Sequence, residues 1–187
     1  MPQSKFTIHT LETAPPATRP VLEQVKAKMG FIPNLFGIMA ESPEALNAYL
    51  SLSGLLEKGV FSQVERDVLL LAVSADNRCH YCMAVHSTLA DMHEVPGEIV
   101  GALRDGTPIA DRRLEALRSF ARSVVGNRGH LPESEVSAFL AADFTKRHIL
   151  EVVAFVAMKT LSNYINHFAG TPVDEAFAKR AWKGEAS

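Results

Sequence analysis

Cys79 and Cys82 are the only cysteines in a chain of 187 residues, and they stand together as Cys-His-Tyr-Cys. Cysteines kept for structure would lie scattered; a Cys-x-x-Cys pair in a reducing compartment points to redox chemistry or metal binding. His86 follows four residues after Cys82, and His93 lies seven beyond that. On a helix, offsets of three and seven put Cys79, Cys82 and His86 on one stripe, which His93 extends by two turns. The free N–H groups and dipole at a helix N-terminus stabilise a thiolate. An imidazole one turn from Cys82 can take its proton and return it to a leaving group. A second thiol one turn away converts a sulfenic acid to a disulfide before over-oxidation. These are the parts of a peroxide-reducing or dithiol-exchange site.

Such a histidine needs an acid to orient it or relay its protons, and Glu65 and Asp67 precede the pair. Ser62 and Glu65 form a Ser-x-x-Glu capping box, which accounts for Glu65 structurally. Asp67 enters a nearly all-apolar run, Val68 to Val73, where a buried carboxylate needs a partner. A zinc site built from Cys79, Cys82, His86 and His93 is the competing reading. Against it, His93 stands about 21 Å along a helix axis from Cys79, so a metal would need ligands from elsewhere.

Helices with short breaks must position these groups. Thr18 and Pro20 open one that ends at Gly30. Ser42-Pro43 opens the next, with Gly59 as its stop, and Ser62 caps the one before the cysteines. Asn77 is the expected N-cap of the cysteine helix, which ends before Pro96. Leu114, Leu117, Ala121 and Val124 mark another, closed by Gly126; Thr145 starts a long one, and Thr171-Pro172 a last one ending near Trp182. Lys5 to Leu11 is the sole extended candidate. The expected class is all-α, one domain over 1–187. Phe61-Ser62 and Phe144-Thr145 each precede an apolar helix and then a Tyr and a His, an echo that suggests two similar helical halves. Through it, Asn166 and His167 become candidates to reach the thiols. Trp182 is a candidate anchor against another subunit.

The balance of 19 basic against 21 acidic residues leaves no surplus positive charge for a phosphate backbone, so nucleic acid is not an expected partner. No run approaches the ~18 uncharged apolar residues of a membrane span. The first twenty residues lack the apolar core of a signal peptide, and the expected location is the cytoplasm.

Val73-Ser74-Ala75-Asp76-Asn77-Arg78-Cys79-His80-Tyr81-Cys82-Met83-Ala84-Val85-His86 resembles the core of the AhpD-like alkylhydroperoxidase family, within the carboxymuconolactone decarboxylase superfamily. That core has a Glu, eleven residues, Cys-x-x-Cys, three residues and His. The stretch Gly30-Phe31-Ile32-Pro33-Asn34-Leu35-Phe36 resembles the peroxidase-related branch, and the likeness runs over about residues 20–182, with the redox core at 62–93. The resemblance implies Cys82 as the peroxide-attacking cysteine, Cys79 as its resolving partner and His86 as the relay histidine. Asp67 occupies the relay-glutamate position, one methylene shorter, with Glu65 as the possible substitute. Tyr81 stands where the best-known member has a histidine. It also implies an all-helical trimer or hexamer, no metal, flavin or haem, a small-molecule peroxide as substrate, and an external dithiol reductant such as a lipoyl or thioredoxin-like protein. A disulfide reductase or redox sensor would use the same thiols without efficient peroxide turnover. Lactone decarboxylation, a metal site and an inert helical oligomer are the remaining readings.

Overall fold

A computed structural model describes residues 6–184. The chain forms α1 (Arg19–Met29), α2 (Asn34–Met39), α3 (Pro43–Leu56), α4 (Gln63–Asp76), α5 (His80–Met92), α6 (Gly97–Asp105), α7 (Arg112–Gly126), α8 (Glu133–Ala141) and α9 (Lys146–Ala169), then a 3-10 helix over Glu175–Arg180. No strand occurs among the described residues, and the fold is all-α. No described helix is long and apolar enough to cross a membrane.

The apolar run that follows Ser62 becomes the centre of the molecule. Val68, Leu69, Leu71, Ala72 and Val73 are all buried, so α4 is covered on nearly every side. It packs against α5, α6, α7 and α9. Each such side chain contributes about 1.5–3 kcal/mol by leaving water. Ser62 starts the helix with a complete capping box: its hydroxyl accepts from Glu65 N–H, and the Glu65 carboxylate accepts from Ser62 N–H at 2.8 Å.

Most helix boundaries follow the caps in the sequence. Gly30 ends α1 in the left-handed region, Ser42 caps α3, and Thr145 starts α9. Gly59 does not stop α3, which ends at Leu56. Gly59 instead leaves room for Glu151, whose Oε2 would collide with a Cβ there and accepts from Val60 N–H at 2.8 Å. Asn77 is the C-cap of α4, not the N-cap of α5; Cys79 takes that place itself. Of Lys5–Leu11, Lys5 lies outside the described residues, and the rest forms no strand. His9 N–H donates to Gly37 O instead, a close approach that a Cβ at Gly37 would block. The C-terminal helix is a short 3-10 segment, shorter than the one expected from Thr171 to Trp182.

That C-terminal segment straps the start of α5. Asp174 accepts from Tyr81 Oη at 2.7 Å and from Asn34 N–H at 3.0 Å, while Tyr81 Oη accepts from Leu35 N–H at 3.3 Å. Trp182 packs on His80 and donates to Arg104 O, so its ring is anchored within its own chain. Tyr81 thus fastens the cysteine helix to α2 and to the tail.

Candidate active site

The thiols sit at the mouth of α5 but inside the protein, Cys79 fully buried and Cys82 2% exposed. Cys79 is the N-cap, and its Sγ accepts from Cys82 N–H at 3.4 Å. Cys82 therefore occupies the third helical residue, among the unsatisfied N–H groups of the first turn.

Three residues of α9 close over the pair. Asn166 Nδ2 donates to Cys82 Sγ at 3.3 Å and approaches Cys79 Sγ at 3.7 Å. Asn163 accepts from Asn77 Nδ2 at 2.9 Å, which ties α9 to the end of α4. Its own Nδ2 has no hydrogen-bond partner among the described residues and lies close enough to Cys82 to favour the thiolate. Lys159 is fully buried, and its Nζ donates to His86 Nε2 at 2.7 Å.

These neighbours set the charges. Burial alone would push the Cys82 thiol up. The Cys79 hydrogen bond, the Lys159 charge and the Asn163 amide outweigh burial and bring Cys82 down to about 5. Cys79 moves the other way, because its proton is held by Cys82, it is buried, and it faces the Cys82 charge. Burial opposes the Lys159 ammonium, but the charges of Cys82 and Tyr49 prevail and raise it. These shifts favour a Cys82 thiolate beside the Lys159 ammonium, with the proton kept on Cys79. Burial, then Lys159 and His93, hold His86 well below the usual imidazole range. An ammonium only donates, so His86 Nε2 accepts and the imidazole proton resides on Nδ1. That Nδ1 is buried without a partner among the described residues.

The expected contacts are partly rearranged. His86 lies among the site residues, but its ring bonds Lys159 and makes no hydrogen bond to Cys82. Asp67 is buried and pairs with His93, its Oδ2 2.9 Å from His93 Nδ1, not with His86. Gln63 joins them: its Oε1 accepts from Arg66, which turns Nε2 toward Asp67 Oδ2 at 3.1 Å and His93 Nδ1 at 3.0 Å. Asp67 Oδ1 has no partner among the described residues. Glu65 is spent on the capping box and on Arg113 at 2.9 Å, and these donors hold it below the usual carboxylate range against the opposing effect of burial. His167 points to solvent, while Asn166 reaches the sulfurs. Among the described residues no three His, Cys, Asp or Glu side chains converge on a metal position.

Lys159 was not legible as a site residue, yet one signal marks it. It is the only charged residue between Glu151 and His167, within an otherwise apolar and small-polar run. A lone cation in that setting needs a buried partner, by the reasoning that singled out Asp67.

Residues 43–123, from the start of α3 into α7, match the model of the carboxymuconolactone decarboxylase family. No curated protein matches the chain. Among solved structures, the chain is similar to an uncharacterized peroxidase-related protein with an alkylhydroperoxidase AhpD core from Ralstonia eutropha. The two are 24% identical, with a TM-score of 0.83 over 95% of each chain. A peroxidase-related protein from Silicibacter sp. is 20% identical, with a TM-score of 0.77 over 95% of this chain and 96% of that one. The debrominase Bmp8, solved as a cysteine-to-alanine variant with 2,3,4-tribromopyrrole, is 18% identical, with a TM-score of 0.79 over 96% of each chain.

Proposed function

We propose that this chain, whose residues 43–123 match the carboxymuconolactone decarboxylase family model and whose fold is AhpD-like, is a thiol-dependent peroxidase of that family that reduces organic hydroperoxides through Cys79 and Cys82. The observation that carries this reading is the setting of the pair: Cys82 lies in the first turn of α5 beside Cys79, its Sγ accepts from Asn166 Nδ2 at 3.3 Å, and the fully buried Lys159 sits on the same side, an arrangement that lowers the Cys82 thiol and raises Cys79.

In the proposed cycle the Cys82 thiolate attacks the distal peroxide oxygen, the O–O bond breaks, and Cys82 becomes a sulfenic acid. The leaving alkoxide takes a proton from Lys159, the nearest ammonium to the thiolate, and departs as an alcohol. The Cys79 thiol then condenses with the sulfenic acid: the S–O bond breaks as the disulfide forms, and the Cys79 proton leaves with the hydroxyl as water, so Lys159 stays neutral until the reducing dithiol returns two protons with its two electrons. Two thiols and one hydroperoxide thus give one disulfide, one alcohol and one water. His86 accepts from Lys159 and holds the ammonium toward Cys82. An external dithiol reduces the disulfide by exchange.

The test is the free-thiol count and intact mass of the reduced protein before and after one equivalent of cumene hydroperoxide. Loss of both thiols and of two hydrogens is expected, with a sulfenic acid trapped at Cys82 in Cys79→Ser. Survival of both thiols would reject peroxide reduction in favour of disulfide exchange. A second reading draws support from the debrominase of the same fold. The same two electrons would replace an aromatic C–Br bond by C–H with release of bromide, and bromide release from a bromopyrrole without peroxide would favour it.

A further inference from the structure

A cavity of about 420 Å³ lies outside the thiol site, between the end of α4, the ends of α6 and α7, and the C-terminal tail. It is the size of a small organic ligand. Five cationic side chains line it, Arg78, Arg104, Arg118, Arg122 and Lys183, against two carboxylates, Asp76 and Asp105. This surplus stands out in a chain whose net charge is −2. None of Cys79, Cys82, His86 and Lys159 lines it.

The cations divide into fixed and free. Arg104 is held by Ser87 Oγ and the carbonyls of Arg180 and Ala181. Arg118 is held by Glu115 and Gly106 O, and Arg122 by Asp76 at 2.8 Å. Glu115 and Asp76 offset the charges of Arg118 and Arg122, which leaves Arg104 as the fixed cation held by neutral groups alone among the described residues. The side chains of Arg78 and Lys183 have no hydrogen-bond or ion-pair partner among the described residues, and both are exposed at the rim. Trp182 supplies an aromatic surface, already packed on His80 at 5.3 Å between ring centroids. A fixed guanidinium group sets the field, free cations can close on a ligand, and an indole face accepts a flat ring.

We propose that this cavity binds an organic anion with a planar ring and a phosphate or carboxylate group. The anion meets Arg78 and Lys183, and the ring lies against Trp182. The site is separate from the thiol chemistry, so it stands or falls independently of the peroxidase reading.

Trp182 is the only tryptophan in the chain, so its emission reports this cavity directly. The full-length protein is titrated with phenyl phosphate, benzoate and neutral phenol, with excitation where the indole alone absorbs. A saturable change with phenyl phosphate or benzoate is expected, the tighter of the two identifying the anionic group. Phenol should bind at least tenfold more weakly. Arg78→Ala with Lys183→Ala should weaken anion binding at least tenfold. Neither side chain has a partner to lose among the described residues, so unchanged helical circular dichroism is expected to accompany the effect. No saturable change at millimolar anion, equal binding of phenol, or unchanged affinity in the double variant would each overturn the proposal.

Discussion

Lys159 carries more of the proposed chemistry than either histidine. Its charge favours the Cys82 thiolate, and its proton is shared with His86. Lys159→Met removes the ammonium and leaves an apolar side chain of similar length. The Cys82 thiol then returns toward its ordinary range, and at pH 7 the thiolate fraction and the rate of peroxide attack fall on the order of 10- to 100-fold. The pH profile gives the sign. In the wild type the thiolate forms as pH rises through about 5, so the rate should be flat near neutrality and drop in acid; in Lys159→Met the rise should move to well above pH 7. The same shift makes folding pH-dependent. A thiol lowered by the fold stabilises it above the ordinary thiol range, and that contribution is lost as pH falls through about 5. Thiolate absorbance near 240 nm across pH reads both variants. Equal midpoints would remove Lys159 from the mechanism.

At the scale of helices, the caps were readable because each uses a local pattern with one physical outcome. Ser62 and Glu65 satisfy each other's backbone groups whatever surrounds them. Ser62→Ala should therefore cost about 0.5–2 kcal/mol, seen as a lower thermal midpoint with little change in the thiol titration. Asn77 misled because Asn serves at both ends of helices, and Cys79 could form the N-cap with its own sulfur. The cysteine stripe was legible by spacing, and so was a carboxylate near it. Which imidazole Asp67 meets was not, because the choice between His86 and His93 depends on how α4 slides along α5. Tyr81 read as a departure from the family pattern, and in the fold it becomes a fastener. Tyr81→Phe leaves Asp174 without one donor and frees Leu35 N–H of its acceptor. A loss of about 1–3 kcal/mol is expected, measured by denaturant unfolding. An unchanged midpoint would mean that the tail does not hold α5.

The two faces of α9 divide the work of the whole molecule. Lys159, Asn163 and Asn166 face the thiols. Leu150, Val153, Tyr164 and Phe168 are exposed on the other side, with Leu55 of α3, which packs beside α9. At 100° per residue the four on α9 fall within about 60° of arc, and they run about 27 Å along the axis. Large apolar side chains aligned over such a length mark an interaction surface, and we propose that copies of this chain, assembled as the trimer or hexamer that the resemblance implies, cover it. Burying each would contribute about 1.5–3 kcal/mol, against which association must offset lost translational and rotational freedom. The wild-type protein should accordingly elute, under light scattering, at a multiple of 20.4 kDa. Leu150→Glu with Val153→Glu should dissociate it while leaving helical content unchanged, since neither side chain belongs to the core. The thiol face of α9 is packed within its own chain, so the Cys82 titration midpoint should persist in the dissociated variant. A wild-type monomer at micromolar concentration would show that the stripe does not join copies of the chain. A Cys82 midpoint that rises on dissociation would show instead that the assembly holds Lys159 in place.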